Sequence, residues 1–478
     1  MVQETVVAKK ATIYYGRMSA PWGMFSRAAL EYDRTHLLAK ANSVYPYLRD
    51  GKPLVHFART VSEVESTRRL WEGVNTSLLP LLRDFRSREA TDERDKVFAL
   101  IGLARNWGRG IRVAPDYRLR PSQVLWETAT RLIAGTQSLS VLAGTLQQDS
   151  AKWALNPSWI TDWSCPPKMH ENVRLANAPL YDAAKALDGI VKVHGLWMLE
   201  TVGHFVDSVT LVGQELPADT GGFNSRLRMI VTEWQRFLET LGPGPYVGGG
   251  SIPDAFWRLL CGDTEYHKEV GADEQIRKIG FRRASPGTAS SFEEWRQVDQ
   301  QAVENRRTSI IDGYWQESGG GDEVQSRNAF HHAVECASGD RRIFLTSKGY
   351  IGTGPSHIRE GDDVVILARS RVPFVLRLTG QPVFCNGETC EVLVERGAGD
   401  EVDKIELKHE DWEKAMENRR KATEAAQRQG PRKEECNDVH RHCYHVVGDA
   451  YVHGIMDGEA VPIGPQRAGT WEQEIFLV

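Results

Sequence analysis

The sequence is short of the features that announce most functional classes. Its seven cysteines are an odd number, thinly spread over 478 residues, and that is not the pattern of a disulfide framework. A reducing, intracellular compartment, the cytoplasm, is therefore the expected setting. No apolar run is long enough to cross a bilayer, and Met1 to Lys10 lacks the long apolar centre of a secretory leader. Basic charge is not in excess either: 59 lysines and arginines face 64 acids, for a formal net charge of -5. That balance argues against a general nucleic-acid binder, which would present a basic face. No Walker loop, dinucleotide-type glycine pattern or Ser-His-Asp order stands out.

What is present is an ordinary globular composition, 41% hydrophobic and 26% charged, on a chain long enough for about two or three domains. The stretch Arg88 to Ala104 is the best punctuated. Thr91 is placed to cap a helix, and Asp92 and Glu93 put negative charge in its first turn, where the helix dipole favours it. Val97, Leu100, Ile101 and Ala104 form one apolar stripe, and Gly102 is a natural stop because it takes a left-handed conformation without steric cost. Arg94-Asp95-Lys96 has the charge to hold an anion, but adjacent opposite charges on a helix ordinarily make ion pairs between neighbouring elements.

Around this helix the pattern changes along the chain. Val2 to Ala8 reads as the tail of a helix, and Ala11 to Tyr15 as a strand ended by Gly16. Pro21-Trp22 opens another helix, and residues 61 to 86 are helical, with Leu70, Trp71, Leu78, Leu79, Leu81, Leu82 and Phe85 as core. Ser122 to Ala134 is amphipathic behind Pro121. Trp159 and Trp163, beside prolines, fix a loop against the core more often than they bind a ligand. Gly189 to Gly213 alternates as two or three strands around Gly195 and Gly203. Arg226 to Leu241 and Pro253 to Leu260 are helical. Residues 264 to 328 are charged and poor in apolar side chains, which predicts a mobile insertion. Beyond 329, short strand-like runs between tight turns predict a small β-barrel or sandwich, interrupted near 397–439 by a charged helical insertion. The expected class is α+β and multidomain, divided at 1–104, 105–263, 264–328 and 329–478.

Cys436, His440, His442, Cys443 and His445, with Cys385 and Cys390, are zinc-type ligands, but their spacing matches no standard zinc motif. His331-His332 is a weaker signal still. No metal is expected.

Several of these segments carry a resemblance. Glu89-Ala90-Thr91-Asp92-Glu93-Arg94-Asp95-Lys96-Val97-Phe98-Ala99-Leu100-Ile101-Gly102-Leu103 is similar to the closing segment of the fungal heterokaryon incompatibility (HET) domain. Arg341 to Leu378, followed by Tyr451-Val452-His453-Gly454-Ile455-Met456-Asp457-Gly458-Glu459-Ala460, resembles the C-terminal region common in HET-domain proteins. Pro157 to Trp163 and Pro253 to Leu260 agree with the same family. The resemblance implies that residues 1–104 are the last part of a HET domain, a partial TIR-like α/β segment whose opening would lie before Met1. The middle would be mostly helical.

It also implies a function: fungal non-self recognition, with growth arrest or cell death as the output and a protein partner or self-association as the trigger. Neither nucleic acid nor a membrane is an expected partner. Gln3-Glu4 matches the end of the family's Trp-x-x-Gln-Glu segment, which makes Glu4 the catalytic candidate. In TIR-like chemistry its carboxylate would stabilise an oxocarbenium-like ribose as nicotinamide leaves NAD, which is then a substrate and not a cofactor. From the residues alone, Glu4 is a surface glutamate at a helix end. The alternative function is a non-enzymatic interaction protein without effector activity.

Overall fold

The computed structural model describes residues 2–41, 52–71, 76–108, 112–146, 157–168, 170–185, 187–194, 198–217, 225–242, 244–270, 276–297, 322–379, 390–394, 443–461 and 473–478. Its helices are α1 (Val2–Val7), α2 (Trp22–Ala41), α3 (Lys52–Trp71), α4 (Leu78–Asp84), α5 (Asp95–Ile101) and α6 (Pro121–Thr136), then α7 (Glu171–Asn177), α8 (Ser225–Glu239), α9 (Ile252–Cys261), α10 (Thr288–Gln297) and α11 (Asp322–Ser338). The strands are β1 (Thr12–Tyr15), β2 (Met18–Pro21), β3 (Val191–His194), β4 (Met198–Leu216), β5 (Thr264–Val270), β6 (Ile276–Arg283) and β7 (Arg341–Thr346). After them come β8 (Ile351–Pro355), β9 (Asp363–Leu367), β10 (Phe374–Thr379), β11 (Cys390–Val394), β12 (Cys443–Asp449), β13 (Tyr451–Val452) and β14 (Gln473–Leu477).

Two compact units interleave along the chain. One comprises Met1–Thr76, Met169–Leu180 and Gly213–Ile343; the other comprises Ser77–Lys168, Tyr181–Val212 and Phe344–Val478. In the first unit, α2 and α3 share a small core of Ala29, Ala58 and Val61, with Trp22, Phe25 and Tyr32 packed against it. Trp22 opens α2 and donates its indole N–H to Glu65 of α3 at 2.7 Å, so one side chain both buries area and fixes the pairing of the helices. β1 and β2 form a hairpin that was half legible: Gly16 turns it in the left-handed region at φ 60°. Within residues 264–328, set aside above as one insertion, β5 and β6 pair along their length. There α10 buries Phe292 and Trp295, while 298–321 lies outside the described residues.

In the second unit the expected barrel is present. β4 pairs with β14, β14 with β12, β12 with β10, β10 with β9, and β9 again with β4, which closes a ring of five strands. Closure removes the free edges that an open sheet would leave. The core beside it joins Val206, Val209, Phe344, Ile366, Val375 and Val452. β3 and β11 form a side branch on β4. The charged helix expected near 410–428 lies outside the described residues.

Several local expectations are corrected. The chain does not turn at Gly203; β4 runs straight through it. A Cβ there would sit 2.2 Å from Ile475 Cδ1, so this glycine serves close packing, not reversal. The stripe helix is shorter than predicted: it starts at Asp95, and Arg94, not Thr91, is at the cap position. Gly102 ends it in the right-handed region at φ -68°, so the expected left-handed stop is not used. Leu70 is exposed at the end of α3. Residues 2–104 contribute helices and one antiparallel hairpin, and among the described residues there they form no parallel sheet.

Candidate functional site

The charged motif of α5 is fully engaged with its surroundings. Asp92 accepts from the Arg94 backbone N–H at 3.0 Å and takes the guanidinium in a fork at 2.9 and 2.6 Å. The other arm of Arg94 reaches the carbonyls of Tyr117 and Leu119 at 2.5 and 2.9 Å. Its guanidinium carbon lies 5.2 Å from the centre of the Tyr117 ring. Asp95 accepts from the Tyr117 hydroxyl at 2.6 Å, and that bond holds the phenol above its usual range. Lys96 donates to the carbonyls of Arg86, at 3.0 Å, and Arg88. Burial, and then the nearby Arg86 charge, pull its ammonium below the usual lysine range.

Sequence reasoning missed Arg86. It is 3% exposed and donates to the carbonyls of Cys165, Thr145 and Asp162 at 2.7, 2.6 and 2.8 Å. Its guanidinium also lies over Trp163 at 5.4 Å. Trp159 and Trp163 are both buried. Together these groups tie α5, the turn after α4 and the tryptophan loop into one knot. Arg86 and Lys96 donate to backbone carbonyls, and Arg94 divides between carbonyls and Asp92, a structural use of charge.

Glu4 occupies the first turn of α1 and is exposed to solvent. Glu4 belongs to the first unit, and Arg94, Asp95 and Lys96 belong to the second.

A second titratable cluster surrounds α11 in the first unit. The Trp295 indole donates to His331 Nδ1 at 3.1 Å, and His331 Nε2 faces Glu335 at 3.4 Å. The first contact makes Nδ1 an acceptor, so the neutral imidazole carries its proton on Nε2, toward the carboxylate. Burial alone would raise the Glu335 carboxyl; the facing His331 and His332 imidazoles outweigh it and hold the group well below the usual glutamate range.

One turn after His332, Cys336 Sγ lies 3.8 Å from His170 Nδ1 and 3.7 Å from His332 Nε2. The His332 ring sits edge-on to Tyr266 and tilted against Phe281. The four-residue spacings 331/335 and 332/336 were readable as one helical face; His170, from a distant segment, was not. The arrangement can share protons between thiol, imidazole and carboxylate. Among the described residues, no group of three or more His, Cys, Asp or Glu is placed to hold a metal ion. Of the ligand types weighed from sequence, Cys385, Cys436, His440 and His442 lie outside the described residues.

Beside this cluster is a pocket of about 280 Å³ lined by Glu265, Tyr266, Ser285, Thr288, Phe330 and Ala333, among others. Glu265 is already committed. One oxygen accepts from Ser285 Oγ at 2.9 Å and from the Thr288 hydroxyl; the other takes Arg282 at 2.6 Å. It anchors the start of α10.

A family model described as the Het-6 beta-barrel domain matches residues 250–394. Heterokaryon incompatibility protein 6, OR allele, of Neurospora crassa is 25% identical over 342 residues, covering 64% of this chain and 47% of that protein. Both comparisons point to the fungal heterokaryon incompatibility proteins as what this chain is similar to. The chain spans about half the length of that relative. No solved structure matches it. The match to the barrel model ends at 394, so it takes in β9 and β10, but β4, β12 and β14, which complete the ring, lie outside it.

Proposed function

We propose that this chain acts in fungal non-self recognition, where contact with an incompatible partner protein, or self-association set off by it, leads to growth arrest or cell death. The observation that carries the reading is the 342-residue similarity to Heterokaryon incompatibility protein 6, which reaches well beyond the barrel model. The comparisons therefore favour an incompatibility role over a generic interaction protein. The charged motif is spent on holding elements together, and the one carboxylate nominated for NAD cleavage is exposed on a six-residue helix. The TIR-like fold rests on the HET-domain resemblance of residues 1–104, and NAD cleavage rests on the match at Gln3-Glu4 within it.

The test is inducible expression of the chain in a compatible and an incompatible fungal background, scored by colony growth and vital dye. Growth arrest confined to the incompatible background, and retained in Glu4→Ala, is the expected result. Equal growth in both backgrounds would defeat the recognition reading. Arrest that disappears in Glu4→Ala, with cellular NAD falling only in the parent, would make the chain an enzyme.

A further inference from the structure

The strand that completes the barrel is seated as a bound peptide would be. β14 lies between β4, some 270 positions earlier in the chain, and β12. Against β4 it is antiparallel, with Gln473 opposite Gly203, Glu474 opposite Val202, Ile475 opposite Thr201, Phe476 opposite Glu200 and Leu477 opposite Leu199. Against β12 it is parallel, with Cys443 opposite Phe476 and Tyr444 opposite Leu477.

The segment divides cleanly by chemistry. Gln473 and Glu474 are exposed, whereas Ile475, Phe476, Leu477 and Val478 are buried. Ile475 fills the notch left by the missing side chain of Gly203. Phe476 packs in a small cluster with Met198, Cys443 and Val478. Past the strand, the Val478 N–H donates to the Tyr444 carbonyl at 2.9 Å, and the Val478 carbonyl accepts from the Ser158 N–H at 3.0 Å. A main-chain ladder on both sides, together with fitted side-chain sites, is the recipe by which sheets bind extended peptides.

Every one of these contacts is made by residues 473–478 themselves, and none depends on what they are tethered to. The same segment from a second molecule meets the same groove. Covalent connection to the same chain favours the molecule's own copy by raising its effective concentration. Exchange of an identical element between copies otherwise sacrifices no contact.

We propose that the groove between β4 and β12 is a receptor for the segment Gln473–Val478, and that two copies of this chain exchange it to form a strand-swapped dimer. The partner is thus a second copy of this chain, recognised by an extended stretch with two polar residues followed by four apolar ones. This gives the self-association named above a physical interface, yet the test reads strand exchange alone and is indifferent to growth or cell death.

Two differently tagged full-length chains are prepared, one carrying Val202→Cys and the other Glu474→Cys, at positions that face each other across the β4–β14 pair. They are mixed, incubated, mildly oxidised and separated under non-reducing conditions, with the disulfide located by peptide mapping. A mixed dimer joined through 202 and 474, and lost when Ile475→Asp is added to the second chain, is the expected result. A single chain carrying both cysteines checks the seating independently. If that chain closes its own disulfide while the mixture yields no mixed dimer, the strand stays at home and the proposal falls. If the doubly substituted chain fails to close, the register is wrong and the proposal falls with it.

Discussion

Arg86 shows how a single side chain can hold together parts of the chain that have no sequence signal in common. Its guanidinium satisfies three carbonyls of the loop that carries Trp163, and buried carbonyls left without donors are costly. Arg86→Ala should lower stability by about 2–4 kcal/mol, with Arg86→Lys recovering only part because an ammonium cannot span three acceptors in one plane. Denaturant titration followed by tryptophan fluorescence checks both.

Glu335 gives a pH dependence of definite sign. Its folded-state carboxyl binds a proton less readily than in the unfolded chain, where the ordinary value is about 4.3. The stabilisation is therefore fully present above that value and fades as pH falls toward the depressed folded value. Urea midpoints of the parent and Glu335→Gln should differ by a constant amount between about pH 5 and 7 and converge below about pH 4. A gap that widens in acid would show that the His331 and His332 contacts do not stabilise the carboxylate.

At the scale of elements, the barrel depends on one strand that passes where side chains cannot. β4 touches β14 on one edge and β9 on the other at the same residue, Gly203. Gly203→Val must displace Ile475 or bend the strand, and should destabilise the chain by about 1–3 kcal/mol, the usual toll of overpacking. Leu378→Ala, at an exposed position on β10, should stay within about 0.5 kcal/mol of the parent. Thermal unfolding of the two variants side by side tests whether closure at Gly203 governs stability. If both shift equally, the notch has no special weight.

On the scale of the whole molecule, neither compact unit is a continuous stretch, and the boundary passes through β4 and β7. The barrel ring likewise draws its strands from residues 198 to 477. A fragment limited to 250–394 lacks β4, β12 and β14, so β9 and β10 would be left with open edges. Expressed alone, it should show poor dispersion in a proton–nitrogen NMR spectrum and a tendency to aggregate, whereas the full chain should give dispersed strand resonances. A well-dispersed spectrum from the fragment would mean that the ring is not the unit of folding.

The sequence by itself determined the helices whose apolar stripes are local, such as α6 behind Pro121 and α9 over Pro253 to Leu260, because a helix is written in contacts three and four residues apart. It determined the β-rich character of the region after 329, and through short continuous motifs the likeness to the heterokaryon incompatibility proteins. It also made Trp159 and Trp163 core residues, since paired tryptophans beside prolines seldom stay in water. Only the tertiary structure decided that Gly203 is a notch and not a turn, that Arg86 and His170 belong to buried clusters, and that the barrel is completed by residues 473–477. Each of those facts depends on partners tens to hundreds of positions away. Backbone pairing and buried charge take their meaning from what lies opposite, and one strand's own residues do not record it.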